Sequence, residues 1–410
     1  MKKFRPFRKI GVFAIIRVLF LFLVFSPIWS YIWWTTSDEH PINVTILDKT
    51  VPSEDYFEHI AFHWILNYEK LVDHSNRYYI FNQDYYGFDP REHPKPIARD
   101  WRFFSRNQLD SLADTTELLY LTDTYGVYYN EWILDSLLTE HSPLVYGGLK
   151  RNEIRVMERV VDQGKPMWGE FNTFASPTGG YVRQRAEELL NVNWSGWTGR
   201  FFDELDSTKN PELPKWLIRG YKEQHGGRWP FEGPGLAFVH ESERIEVFDE
   251  EVHVSDPMPH IEVDTVFSEH YGTRERVPYP FWFDVTYPRA GTDAESMGVF
   301  RIETLPSGDS LLASMGIENT FPALIKSRDG LTWYFCADYA DNLVPYSASY
   351  FKGIHYLDFL LYTTEPLDRS RFFFHFYRPL ITTLLDELGF LGNPAVIPYS
   401  QHYSTEEEAP

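Results

Sequence analysis

Asn43-Val44-Thr45-Ile46-Leu47-Asp48 is a β-branched and aliphatic run that stops at a carboxylate, the mark of a buried strand, and the fold class turns on its alternation with helix-forming stretches downstream. Residues 54–73 place Phe57, Ile60, Ala61, Trp64, Ile65 and Val72 near a 3.6-residue period, which predicts a helix behind that strand. The alternation then repeats. Tyr78-Tyr-Ile-Phe81 reads as a second strand, residues 106–113 as a helix and Leu118-Leu-Tyr-Leu121 as a third strand. Asn152 to Gln163 reads as a long helix, Pro166-Met-Trp-Gly169 as a fourth strand, and residues 178–191 as a helix with Pro177 at its mouth. Strand and helix in turn predict a mostly parallel sheet with helices on its faces, of Rossmann or flavodoxin type.

From about residue 228 the texture changes. Leu236-Ala-Phe-Val239, Ile245-Glu-Val-Phe248 and Phe281-Trp-Phe-Asp-Val285 look antiparallel, so residues 228–330 are expected to form a β-rich insertion or sub-domain on the α/β domain of 43–227. Leu331-Thr-Trp-Tyr-Phe335 and a helix around 371–388 return to the α/β layer over 331–390, and 401–410 reads as a disordered tail. At the other end, Lys2, Lys3, Arg5, Arg8 and Lys9 form a basic tail over 1–9, and residues 10–34 are apolar with Arg17 as their one charge. About 20 apolar residues suffice to cross a bilayer. The segment has no small-x-small cleavage site, and Trp29, Tyr31, Trp33 and Trp34 form an aromatic belt, so it is expected to stay as a signal anchor. The basic tail keeps the N-terminus inside the cytoplasmic membrane and puts the bulk of the chain outside.

With 43% hydrophobic and 17% aromatic residues, the chain has ample material for a core. Its one cysteine, Cys336, rules out an intrachain disulfide framework and sits in an aromatic strand, where a thiol is core material. The net charge is −21, and setting aside the six basic residues of the anchor region leaves 32 basic against 59 acidic, or −27. That balance speaks against a nucleic-acid partner.

In open parallel sheets, ligands bind at the carboxyl ends of the strands. Here those ends carry Asp48, Asn82 with Asp84, Asp123, Glu170 with Asn172, and Asp338 with Asp341, among Tyr85, Tyr86, Tyr125 and Phe171. The expected ligand site is Asp48, Asp84, Tyr125, Asn172, Asp338 and Asp341, and carboxylates with aromatic faces suit a polyhydroxylated ligand such as a glycan, or a cation. Asp123 and Glu170 are the natural pair for a general acid and base. Arg183 and Arg200 are candidates to balance the charge. Capping of the following helices is the structural alternative for every one of these carboxylates.

Leu144-Val-Tyr-Gly-Gly-Leu149, a helix, and then Gly164-Lys-Pro-Met-Trp-Gly-Glu-Phe-Asn172 follow one another in an order that resembles the class I glutamine amidotransferase-like superfamily, including its trehalose-utilisation-type domains. The resemblance spans residues 43–200 and resumes at Leu331 to Asp341. It implies a nucleophile elbow of the form Gly-x-Cys-x-Gly where this chain has Gly169-Glu-Phe-Asn-Thr173, so Phe171 stands in the nucleophile's place. It also implies a catalytic histidine late in the chain, where Cys336-Ala-Asp-Tyr-Ala-Asp341 has none. With nucleophile and base both missing from their places, glutamine hydrolysis is not expected, and the chain reads as a pseudoenzyme of that superfamily.

His59 and His63 lie four apart on the predicted helix, but Ile60 stands where a His-Glu-x-x-His hydrolase needs glutamate, so no metal set is assigned. No cofactor motif emerges either. Three functions remain open at this level: an outward-facing, membrane-anchored binder of a cell-envelope glycan, a hydrolase using Asp123 and Glu170 on a glycosidic or ester bond, and a non-catalytic subunit of a membrane complex docking a partner through 228–330.

Overall fold

A computed structural model describes residues 12–91, 99–133, 142–365 and 367–394; the basic tail 1–9 and the tail 401–410 lie outside the described residues. In chain order the strands that build its two main sheets are β1 (Val44–Asp48), β2 (Tyr86–Gly87), β3 (Leu118–Asp123), β4 (Met167–Glu170), β5 (Val192–Phe202), β6 (Gly235–His240) and β7 (Ile245–Asp249). They continue with β8 (Val254–Glu262), β9 (Arg276–Pro278), β10 (Phe283–Pro288), β11 (Glu295–Thr304), β12 (Thr320–Lys326) and β13 (Thr332–Phe335). The principal helices are α1 (Val12–Thr36), α2 (Phe57–Tyr68), α3 (Arg106–Thr115), α4 (Arg151–Asp162), α5 (Gly180–Leu190), α6 (Lys215–Gln224), α7 (Thr265–Tyr271), α8 (Pro306–Met315) and α9 (Arg378–Glu387).

The larger sheet has nine strands in the order β9-β8-β11-β12-β13-β4-β3-β1-β2. The five from β13 to β2 pair in parallel, and the four from β9 to β12 continue antiparallel, so the sheet is mixed. In the parallel half the spatial order is second, first, third, fourth, fifth, the flavodoxin-like arrangement, whose direction of winding reverses between β1 and β3. All residues of β1, β3 and β4 are buried, as strands covered on both faces must be. One continuous apolar core runs from Ile46, Leu121 and Trp168 to Phe300, Phe321 and Tyr334.

The strands of 228–330 do not form a layer of their own. β8, β9, β11 and β12 lengthen the central sheet, while β6, β7 and β10 join the earlier β5 in a four-stranded antiparallel sheet, β7-β6-β5-β10. Two helices, α7 and α8, interrupt them. α6 and the turns around it close a small second core of Phe202, Leu205, Leu217, Phe231 and Val247 over that sheet.

The expectation of a strand at Tyr78–Phe81 is corrected, since the strand beside β1 is the two-residue β2. Tyr79 explains why its segment stays out of the ladder. Its hydroxyl donates to the Ile42 carbonyl at 2.5 Å and accepts from the Val44 N–H at 2.8 Å, so the side chain ties the segment to the start of β1.

α1 is a single 25-residue helix containing Pro27. Several of its side chains fall outside the described residues, and among the described residues no helix is long and apolar enough to cross a membrane. Its last turns dock on the body. Ser30 Oγ donates to the Lys352 carbonyl at 2.6 Å, Trp34 Nε1 donates to the Asn67 carbonyl at 2.9 Å, and the Trp34 ring meets Tyr350 edge-on at 4.9 Å.

Candidate functional site

At the reversal point the last residues of β1 and β3, Asp48 and Asp123, are register partners. In open α/β sheets this is where the connections leave toward opposite faces and ligands bind. Thr50 ties the pair together. Its N–H donates to Asp48 Oδ1 at 2.9 Å, its hydroxyl donates to Asp123 Oδ1 at 2.7 Å, and the Gly126 N–H in turn donates to that hydroxyl at 2.8 Å. The Tyr125 N–H gives Asp123 a further bond at 2.6 Å. Burial nevertheless pushes the Asp123 carboxyl up to about 8, with the neighbouring Asp48 charge adding to the rise and the bonds from Tyr125, Thr50 and Asn172 opposing it.

Eight residues separate β1 from α2, whose first turn brings in Glu58 and His59. His59 is fully buried; Nδ1 lies 2.5 Å from Asp48 Oδ2, and Nε2 lies 2.8 Å from the Phe81 carbonyl. Both ring nitrogens of His59 are thus engaged. His63, one turn on, is also buried and is held neutral by burial, its pKa lowered to about 3. His63 Nδ1 lies 3.1 Å from the His59 carbonyl, and among the described residues no group of three or more His, Cys, Asp or Glu side chains is arranged to hold a metal ion. Glu58 is half-buried, and burial together with the Asp48 and Asp341 charges raises its pKa well above the usual range.

The remaining members follow β4 and β13. Asp338 is 8% exposed and lies within electrostatic range of Asp341, Arg369, Asp123 and Glu170; burial first, then Asp341, raises its pKa. Arg369 pairs with Asp341 at 2.5 Å and lies 3.8 Å over the Phe281 ring. Burial works against the Arg369 charge, but Asp341 and Asp338 outweigh it and raise its pKa. Arg369 is thus a counter-charge of this cluster. Arg183 is engaged elsewhere, with Glu241, while Arg200 pairs with Glu212 and also lies within electrostatic range of Asp341.

Of the sequence-derived candidates, Asp48, Asp123, Asn172, Asp338 and Asp341 come together at one end of the sheet. Asn172, in the left-handed region at φ 62, follows β4, and its carbonyl accepts from Thr124 Oγ1 at 3.2 Å. Tyr125 contributes its backbone to Asp123, while its ring packs on Tyr128 at 4.9 Å. Asp84 is held apart in a fork from Arg77 at 2.8 and 3.0 Å and by the Ile80 N–H. Glu170 reaches the cluster but is fully committed. Tyr120 donates to one oxygen and the Ala340 N–H to the other at 2.9 Å, so Glu170 holds the 338–341 segment in place.

The sequence reading passed over Glu58 and Arg369. Glu58 carried a signal, since a helix that follows a parallel strand begins at that strand's carboxyl end. Arg369 carried none, because nothing in the chain marks a residue 28 positions beyond Asp341 as its partner. Cys336 is fully buried and its thiol is pushed well up by burial, consistent with a core residue. Phe171 is buried too.

A cavity of about 860 Å³ lies elsewhere, lined by Ser207, Asn210, Leu213, Lys215, Ile218 and Lys222 of the α6 lobe, and it shares no residue with the carboxylate cluster. The cluster has the stronger chemical claim, because its polar groups are buried and converge from four strand ends.

The fold and the cluster define the chain as a mixed α/β protein with a carboxylate-rich site at the ends of its parallel strands. No family model matches it, and no curated protein does. A solved ThuA-like protein from Bacteroides uniformis is similar over 74% of this chain and 84% of its own, at 13% identity and a TM-score of 0.31, a likeness too low to carry an argument.

Proposed function

We propose that this chain is a membrane-anchored, extracytoplasmic relative of the amidotransferase-like proteins that does not hydrolyse glutamine and uses its carboxylate cluster to bind a polyhydroxylated ligand, a cell-envelope glycan. The observation that carries the reading is the convergence of Asp48, Glu58, Asp123 and Asp338 at the carboxyl ends of the parallel strands. Burial raises the pKa of Glu58, Asp123 and Asp338, that of Asp123 to about 8, and a protonated carboxyl both donates and accepts hydrogen bonds, which matches the hydroxyls of a sugar. Phe281 and Tyr125 supply rings nearby. Phe171 at the elbow position supports the loss of the amidotransferase reaction.

The anchor reading rests on the apolar sequence of α1, the basic residues that precede it, and the exposure of Phe20, Leu21, Val24, Phe25, Ile28 and Trp29. The turns from Ser30 onward dock on the body, so at 1.5 Å per residue the part of α1 free to enter a bilayer reaches about 27 Å, against a hydrocarbon core of about 30 Å.

The test is a thermal-shift titration of the detergent-solubilised full chain with a β-1,4-linked N-acetylglucosamine tetramer and with trehalose. Ligand at a hundredfold its Kd adds about 2.7 kcal/mol of stability. The shift is expected for one of these sugars and is expected to be lost in Glu58→Gln and Asp338→Asn. A shift that both variants keep refutes the site.

A second reading has its own observation. The Asp48–His59 pair beside a carboxyl raised to about 8 supplies a base and an acid at one end of the sheet, the equipment of a hydrolase acting on a glycosidic or ester bond. Turnover of a bound sugar, abolished by Asp123→Asn while binding persists, would select it.

A further inference from the structure

Close to the point where α1 meets the body, the chain from Ile354 to Leu360 forms a 3-10 segment with none of its residues buried. Its outward side chains are large and apolar: Tyr356 is 75% exposed, Phe359 60% and Leu360 68%. The segment is pinned from behind. The Tyr68 hydroxyl and His355 Nδ1 share a hydrogen bond of 2.8 Å, the Gly353 N–H donates to the same hydroxyl at 2.8 Å, and Asp358 faces His375 at 3.6 Å. Exposure is therefore built in by groups that hold the segment in one orientation. The residues just ahead of it, 351–353, touch α1 directly. Lys352 accepts from Ser30, Phe351 packs on Tyr31 at 6.2 Å, and a Cβ on Gly353 would lie 3.4 Å from the Trp33 ring.

A row of exposed aromatic and aliphatic side chains abutting an apolar helix end with its own Trp and Tyr belt has the composition of a membrane interface, where rings sit at headgroup depth. We infer that Tyr356, Phe359 and Leu360 insert into the outer leaflet beside α1, so that the body rests on the bilayer at a fixed orientation instead of swinging from a tether. This rests on the anchor reading above. The partner is the lipid surface: the patch is continuous with the helix that would cross it, and the charged residue within it, Asp358, turns back toward His375.

The full chain reconstituted in phosphatidylcholine and phosphatidylglycerol nanodiscs gives the test. Because Cys336 is fully buried, an environment-sensitive fluorophore on Phe359→Cys labels one site. Labels on Leu21→Cys within α1, and on Val252→Cys, 53% exposed on the turn between β7 and β8, serve as references. Expected are a blue shift and quenching by nitroxide lipids at 359 and 21, with loss of iodide quenching, and the opposite at 252. Iodide quenching at 359 with 21 still protected overturns the inference and leaves the anchor standing. Iodide quenching at both overturns the anchor and the inference together. Protection at 359 without nitroxide quenching means that protein covers the patch, which also overturns it.

Discussion

Asp284 shows how much a single buried carboxyl of this protein is shaped by its surroundings. It lies between the two sheets, accepts from the Tyr334 hydroxyl at 2.5 Å and from Thr286 Oγ1 at 2.8 Å, and is pushed up to about 7 by burial. Below about pH 4 the group is protonated in folded and unfolded chains alike. Between about pH 4 and 7 the folded state keeps the proton that the unfolded state has released, so stability falls as pH rises through that window, by on the order of a few kcal/mol. Asp284→Asn is expected to flatten this slope, read as urea midpoints at pH 5 and pH 7. Glu170 and Asp123 part company in the same kind of measurement. Glu170→Ala strands the Ala340 N–H, leaves the Tyr120 hydroxyl with Tyr377 as its partner, and is expected to cost about 2–4 kcal/mol. Asp123→Asn replaces a carboxyl that is mostly protonated at pH 7 by its neutral isostere and is expected to stay within about 1 kcal/mol of the parent. Equal losses in the two would contradict the division of roles drawn between them.

At the scale of elements, the alternation of strand and helix was legible because the parallel strands are buried on both faces and the helices carry a 3.6-residue period. β1, β3, β4 and β13 fall within a residue or two of where the pattern put them. Tyr78–Phe81 was misread because an apolar aromatic run looks the same whether it pairs in a ladder or, as Tyr79 does, tucks a hydroxyl against the backbone of a neighbouring strand. The partition of 228–330 between two sheets could not be read, since strand pairing is fixed by contacts between distant residues. The Gly-Gly turn has a structural reason that sequence order only hinted at. Gly147, at φ +149, and Gly126, at φ +111, face each other so closely that a Cβ on Gly147 would sit 2.4 Å from the Tyr125 carbonyl oxygen and one on Gly126 2.1 Å from that of Tyr146. Alanine at either is expected to cost more than about 2 kcal/mol. Gly164, also left-handed at φ +64 but with open space where its Cβ would go, should lose only about 1 kcal/mol on the same change. Chemical denaturation of the three variants checks the order.

Taken whole, the molecule joins an acidic, two-sheet body to an apolar helix whose last turns are packed into it. The central sheet gathers carboxylates at one end, and Arg369 is a counter-charge that the cluster draws from the C-terminal helical segment. The cluster's acids were legible one by one as strand-end residues; Arg369 and Glu58 were not, because their placement comes from packing between segments far apart in sequence. For the anchor, alkaline carbonate extraction of membranes is expected to leave the full chain in the pellet and to release it when Leu21, Val24 and Ile28 are replaced by Asp; release of the unaltered chain would refute the anchor.

Whether ligand sits on the strand-end carboxylates can be read by carbodiimide labelling of accessible carboxyls, followed by peptide mass spectrometry, with and without the sugar that gives the thermal shift. Glu58 and Asp341 are water-accessible members of the cluster, and Glu223 lines the separate 860 Å³ cavity. Ligand is predicted to protect Glu58 and Asp341 together while Glu223 labels as before. Protection of Glu223 with Glu58 and Asp341 unchanged would place the ligand in the α6 lobe and contradict a strand-end site.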